Sequence, residues 1–257
     1  MTLLSPYVRA ELRRALGLRH LVLLALGVAI AAIDAAVTPR LPELAREFLR
    51  TSLRLDTMAD LILVNDYLGQ YFLVAFASAF ELLRVYVGPA EARELDLYLA
   101  KPIGRAHLLA ARSAPALVAV LALGAGLTAA NALTLRPWLG DASTAPIVTA
   151  GLTITAFALA LLALLNLLFL RLREVEHAVL LAFAVLIAPL LPTSLLIYRP
   201  DLFAEQGLSP AIGFPASLLW HGGVTPGAAA LALGGAIGLA TGLVALAAWR
   251  LGRRPDL

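Results

Sequence analysis

The stretch Leu159-Ala160-Leu161-Leu162-Ala163-Leu164-Leu165-Asn166-Leu167-Leu168-Phe169-Leu170 interrupts its apolar residues only once, at Asn166. It is continuous, where a half-buried strand would alternate. It lies in a longer apolar span, 146–170, enough to cross about 30 Å of hydrocarbon as helix at about 1.5 Å per residue. Lipid offers backbone N–H and C=O groups no partner, so a spanning segment is a helix or part of a closed barrel. The unbroken run selects the helix. Similar spans stand at 18–37, 67–87, 114–135, 178–198 and 227–249. The second carries Glu81 and Arg84, and the fifth is interrupted by Pro189 and Pro192. The expectation is an all-α polytopic membrane protein with six transmembrane helices, forming one domain over residues 1–257.

Composition agrees. Of 257 residues, 61% are hydrophobic and 14% charged, against about 25% charged in soluble domains. Mean hydropathy is +0.87. A water-soluble fold has too little polar surface to cover that much apolar side chain. With no cysteine, disulfides, thiolate metal sites and cysteine nucleophiles are excluded. His20, His107, His177 and His221 have no ligand spacing, which argues against zinc. The net charge of +3 reads as inner-side arginine rather than as a nucleic-acid surface.

Orientation follows from the basic residues, which gather on the cytoplasmic side of membrane proteins. With both termini inside, 14 of the 20 fall on inner segments and 6 on outer ones. The inner set includes Arg9, Arg13, Arg14, Arg19, Arg84, Arg112 and Arg250. The expected topology is N-in, C-in. Residues 1–17 read as an amphipathic interfacial helix, with Leu4, Val8, Leu12 and Leu16 at i+4 spacing and Arg9 and Arg13 pointing away. Glu11 falls close to that stripe. Residues 38–66 form an outer segment with a surface helix after Pro39 and Pro42. Residues 199–226, rich in proline and glycine, read as an outer or re-entrant segment. In the last span Gly234, Gly238 and Gly242 make a ladder that permits close helix contact, most simply within the chain.

The inner loop 88–113 is the densest mixed-charge stretch. Glu91, Glu94 and Asp96 surround Leu95, Tyr98 and Leu99. Lys101 follows, and Pro102 stops the short amphipathic helix. Here the sequence resembles the permease subunits of type-2 ABC exporters. In that family the first inner loop reads acid, Gly-Thr, a leucine-rich turn, Pro-x-x-Arg, and a basic residue seven positions on. Glu91 matches the acid, and Leu95, Leu97 and Leu99 the leucine-rich turn. Pro102-Ile103-Gly104-Arg105 matches Pro-x-x-Arg, and Arg112 the later basic residue. Arg93-Glu94 stand where the family has Gly-Thr. Glu11-Leu12-Arg13-Arg14 resembles the family's string before the first span. Trp249-Arg250 and Arg253-Arg254-Pro255-Asp256-Leu257 resemble its tail.

The resemblance implies a coupling helix seated in a separate ATPase subunit. Glu91, Glu94, Leu95, Asp96, Tyr98, Leu99, Lys101, Pro102 and Arg105 would make that contact. It implies two ATPase copies that bind ATP and Mg, a second permease as homo- or heterodimer, and the bacterial cytoplasmic membrane as location. The sequence contains no Gly-x-x-x-x-Gly-Lys-Ser/Thr loop, so the chain itself is not expected to be an ATPase or to hold a cofactor.

Polar residues within apolar spans are functional candidates, because burying them in lipid is unfavourable. Tyr71, Glu81, Asn131 and Asn166 are the candidates for a translocation path. Glu81 and Arg84 are also spaced to pair with each other, and Asn131 and Asn166 to hydrogen-bond between helices. Tyr67, Gln70 and Tyr71 begin the second span, either lining an outer vestibule or anchoring the helix. Asp34 sits near the outer end of the first. Other readings of the chain are a gradient-driven transporter, an intramembrane enzyme and a non-transporting assembly subunit. A gradient-driven transporter calls for midplane carboxylates on broken helices, and the broken fifth span has no acid. An enzyme calls for a catalytic motif, and neither His-Glu-x-x-His nor Gly-x-Ser-x-Gly occurs.

Overall fold

The computed structural model describes residues 6–53, 58–94, 97, 105–139, 144–169, 172, 174–188 and 226–252. Among them every regular element is helical. In chain order these are α1 (Pro6–Ala15), α2 (Leu18–Val37) with a 3-10 turn at Thr38–Arg40, α3 (Glu43–Leu53) and α4 (Met58–Leu82). A π-helical turn, Leu83–Val87, links α4 to the short α5 (Gly88–Glu91). Then come α6 (Arg105–Leu139), α7 (Ala145–Phe169), α8 (Val175–Ile187) and α9 (Pro226–Gly252).

Five helical stretches are long and apolar enough to cross a membrane: Val8–Arg40, Leu61–Glu91, His107–Pro137, Ile147–Leu168 and Ala229–Trp249. The chain is therefore a multi-pass membrane protein. The described part of the expected fifth span is the 13-residue α8, about 20 Å of helix, too short to cross alone. The prolines at 189 and 192 lie outside the described residues. So does the outer or re-entrant segment 199–226, apart from Pro226.

Burial ranks the helices. The apolar windows of α4 and α7 are each 67% buried within the chain, against 11% for the first helix and 17% for α9. α4, α6 and α7 pack on one another, α2 lies against α4 and α6, and α9 lies against α6 and α7. The helix that carries Asp66 and Glu81 is thus central. Its polar groups face protein rather than lipid, which removes the desolvation objection to Glu81 and Arg84 in a span.

Close helix contact is set by glycine and threonine. A Cβ added at Gly124 of α6 would stand 2.3 Å from Thr155 Oγ1 of α7. One added at Gly151 of α7 would stand 2.4 Å from Thr128 Oγ1 of α6. The two Gly-x-x-x-Thr segments therefore interlock head to tail, as antiparallel neighbours must. The glycine ladder expected to pack the last helix does otherwise. Added Cβ atoms at Gly234, Gly238 and Gly242 would meet nothing within 4 Å. Instead α9 buries Ala229, Ala236, Ala240 and Ala247, a stripe rotated away from the glycines.

Two boundaries differ from expectation. The helix of the second span begins at Met58, not 67, because Leu61 to Val64 extend its apolar run into the expected outer segment. It also continues past residue 82 through the π turn, where Gly88 N–H bonds Leu83 O five residues back. Pro89 has no N–H for Val85 O and its ring would crowd that carbonyl, and a widened turn accommodates both effects. The ending is a second point of interest. Ala92 N–H bonds Gly88 O at 2.9 Å, and Arg93 then takes φ 55, the left-handed geometry that usually belongs to glycine after a helix. Arg93→Gly is therefore expected to raise stability, by up to about 1 kcal/mol, read as a higher midpoint of thermal unfolding in detergent.

Candidate functional site

Three polar groupings and one apolar cavity run through the bundle. At the end that carries α1, a charged network joins three helices. Arg84 Nη1 donates to Glu11 Oε2 at 2.9 Å, and Arg84 Nε donates to Glu81 Oε2 at 2.9 Å. Arg14 Nη1 reaches Glu11 Oε1 at 3.1 Å and Arg19 Nη2 reaches Glu81 Oε1 at 3.5 Å. Both carboxylates are 1% exposed, whereas Arg14 and Arg19 keep one side in solvent. Glu11 explains how α1 docks. Its buried positions are Glu11 and Ala15, while Leu16 is exposed. The docking face is thus rotated from the expected Leu4–Val8–Leu12–Leu16 stripe, because Glu11 turns inward to meet Arg84. Leu4 itself lies outside the described residues.

Midway along the bundle, Gln70 of α4 sits over the α6/α7 crossing. Its Nε2 donates to Thr128 Oγ1 at 3.0 Å, Gly151 O at 3.2 Å and Gly124 O at 3.4 Å. Its Oε1 accepts from Asn131 Nδ2 at 3.1 Å. The glycines matter twice, letting the helices meet and baring the carbonyls that Gln70 binds. Tyr71 is buried beside this node and its hydroxyl donates to Leu186 O of α8 at 2.7 Å. Tyr67 donates to Ile147 O of α7 at 3.4 Å. With the helix starting nine residues earlier than expected, these side chains bind neighbouring helices inside the bundle rather than capping its edge.

Toward the α3 end lies a pair of acids. Asp34 of α2 accepts from Asn65 Nδ2 at 2.7 Å. Asp66 is next to Asn65, 3% exposed, and neither carboxylate oxygen has a hydrogen-bond partner among the described residues. Asp34 stands within hydrogen-bonding reach of Asp66. Asp66 borders a small cavity, about 10 Å³, between α2, α4 and α6, which Gln70 and Asn131 also line.

A second small cavity, about 10 Å³, lies nearer the α1 end and is almost wholly apolar. Tyr86, Ser113, Leu117, Leu162, Asn166 and Val244 line it. The Tyr86 and Ser113 hydroxyls bond each other. Asn166 is buried, and both its amide atoms lack a partner among the described residues.

The candidates for a translocation path are therefore divided. Asn131 joins the Gln70 node with Tyr71 next to it, Glu81 belongs to the charged network, and Asn166 faces the second cavity. Of the coupling-helix residues, Glu91 ends α5 and Glu94 follows the Arg93 turn, both exposed. Arg105 begins α6. Leu95, Asp96, Tyr98, Leu99, Lys101 and Pro102 lie outside the described residues. Sequence reasoning missed Asp66 by assigning residues 38–66 to the outer segment. The signal that would have found it is the apolar run Leu61-Ile62-Leu63-Val64, which carries the helix across that boundary.

No family model, curated protein or solved structure matches this chain.

Proposed function

We propose that this chain is the membrane-spanning permease subunit of an ATP-driven type-2 ABC exporter in the bacterial cytoplasmic membrane. A separate ATPase subunit binds ATP and Mg and hydrolyses the nucleotide. This chain converts that subunit's closure into movement of the bundle. The observation that carries the reading is the loop between α5 and α6. It leaves α5 at Glu91 and turns through Arg93 in a glycine-like conformation; Glu94 and Leu97 are helical again, and α6 begins at Arg105. The residue that departs from the family's Gly-Thr thus keeps a backbone geometry that glycine favours.

A six-crossing topology is supported by the level at which helices meet. Leu162 to Asn166, near the end of α7, share a cavity with Ala240 and Val244, well along α9. The preceding part of α9 buries Ala229 and Ala236 in the bundle. The two helices therefore run in the same direction, which needs one return crossing between them. α8 begins that return, packing on the π turn and reaching the level of Tyr71 by Leu186. With the arginine asymmetry, the α1 end faces the cytoplasm.

In this reading the coupling loop pushes on α5 and the π turn. Arg84 binds α1 to the same helix end, so α1 and α4 move together. A second reading, a cation-gradient transporter, is favoured by one observation: the carboxylate of Asp66 is buried inside a membrane helix. The two separate by experiment. Co-expressed with a soluble ABC ATPase subunit from the same genome, the chain is expected to co-purify with that protein and stimulate its ATPase activity in lipid. Leu99→Asp is expected to abolish the stimulation, roughly tenfold or more, without loss of membrane insertion. Transport by the chain alone under an ion gradient would exclude the exporter.

A further inference from the structure

Asp66 is the buried group that neither packing nor the exporter reading accounts for. A carboxylate taken out of water needs a cation, a proton or several hydrogen bonds. Asp66 has no hydrogen bond among the described residues, and the charged group beside it is another acid, Asp34. Two carboxylates in hydrogen-bonding reach and low dielectric repel each other strongly unless a positive charge joins them. The surrounding helices nonetheless leave space at that point. Gly27 and Gly69 border the cavity from α2 and α4, and a Cβ at Gly69 would meet only Ile30 Cγ2, at 3.7 Å. Oxygen atoms are also at hand. The Asn131 amide is oriented by donating Nδ2 to Gln70, and no described hydrogen bond ends on its Oδ1.

We infer that Asp34, Asp66 and Asn131 form a binding site for a small monovalent cation of the sodium or potassium class. The cation enters past exposed Asn65 and half-buried Asp34, and rests between the two carboxylates above Gln70. Magnesium fits poorly, since it dehydrates reluctantly and keeps several waters, for which the small space has no room. Large organic cations are excluded by the small space. The site goes beyond the exporter reading and stands with or without an ATPase. It supplies a substrate class if the cation is the cargo, and a coupling ion if it is not.

The test uses the full chain purified alone in lipid nanodiscs, so a failure here leaves the ATPase experiment untouched. Equilibrium binding of radioactive sodium is expected to saturate near one ion per chain. Lithium or potassium should displace it and choline should not. Asp66→Asn is nearly isosteric and should weaken binding at least tenfold while the chain stays monodisperse. Asp34→Asn, at the mouth of the site, should also weaken it and covers the case that the Asp66 variant fails to fold. The inference is overturned if the wild-type chain binds no sodium, which means the acids share a proton instead. It is equally overturned if magnesium or calcium alone displaces the ion, or if both variants bind like wild type.

Discussion

Arg84→Met is expected to destabilise the chain by about 3–5 kcal/mol, the usual consequence of removing one partner from a buried ionic group. Arg84 is the only cation that reaches both Glu11 and Glu81 among the described residues. Its loss leaves two carboxylates, each 1% exposed, with only the solvent-facing Arg14 and Arg19 at their edges. The cause is desolvation of unpaired charge rather than lost packing, since methionine keeps most of the arginine's volume. The discriminating comparison is therefore the triple variant Glu11→Gln, Glu81→Gln and Arg84→Met. Neutralising the whole group should recover most of the loss, because a neutral replacement leaves no orphaned charge. Thermal or denaturant unfolding in detergent reads both. A single Arg84 variant as stable as wild type would mean that the network does not hold α1 to α4.

Gly124→Ala should lower stability by about 1–3 kcal/mol, the range for forcing an extra methyl into a packed contact. The added Cβ would fall 2.3 Å from Thr155 Oγ1 and 2.5 Å from Thr155 Cγ2. The partner is specific, and that makes the prediction sharp. Thr155→Ala in the same chain removes both clashing atoms and should recover most of the loss. Thr128→Ala should recover none, although Thr128 is on the same helix as Gly124 and bonds its carbonyl. Thr128 faces Gly151 instead, and its removal takes a partner from Gln70. Equal recovery from both substitutions would contradict the head-to-tail interlock of α6 and α7.

Together these contacts divide the bundle mechanically. The α4, α6 and α7 crossing is fixed by backbone contact and by the several hydrogen bonds of Gln70. The end nearer α1 is joined through longer side chains and a π turn. Movement imposed at α5 would meet the more adjustable part first and the interlocked crossing second. Asp66 and its cavity lie beyond that crossing, toward the α3 end.

Much of the architecture was legible in the chain. Apolar runs such as 18–37 and 146–170 declare helices because transfer into hydrocarbon depends on the residues of the run itself, not on distant partners. The same locality foretold a surface helix after Pro42. Errors arose where two local signals competed. Beginning the second span at residue 67 left Asn65 and Asp66 outside it, although the apolar residues before them continue the helix. The glycine ladder of α9 looked like a contact surface, although the rotation of that helix buries its alanines.

The sequence by itself determined an all-helical membrane protein and five of its helices that are long enough to cross. Only the tertiary structure decided which polar residues meet. Glu11 with Arg84, Asp34 with Asn65, and Gln70 with Gly151 are separated by 73, 31 and 81 residues. Each pairing depends on the rotation and depth of two helices at once. Hydropathy records how apolar a helix is, but it does not record that rotation or depth. The packing of Gly124 against Thr155 and of Gly27 against Leu127 fixes both, and with them the place where a buried carboxylate is left facing open space.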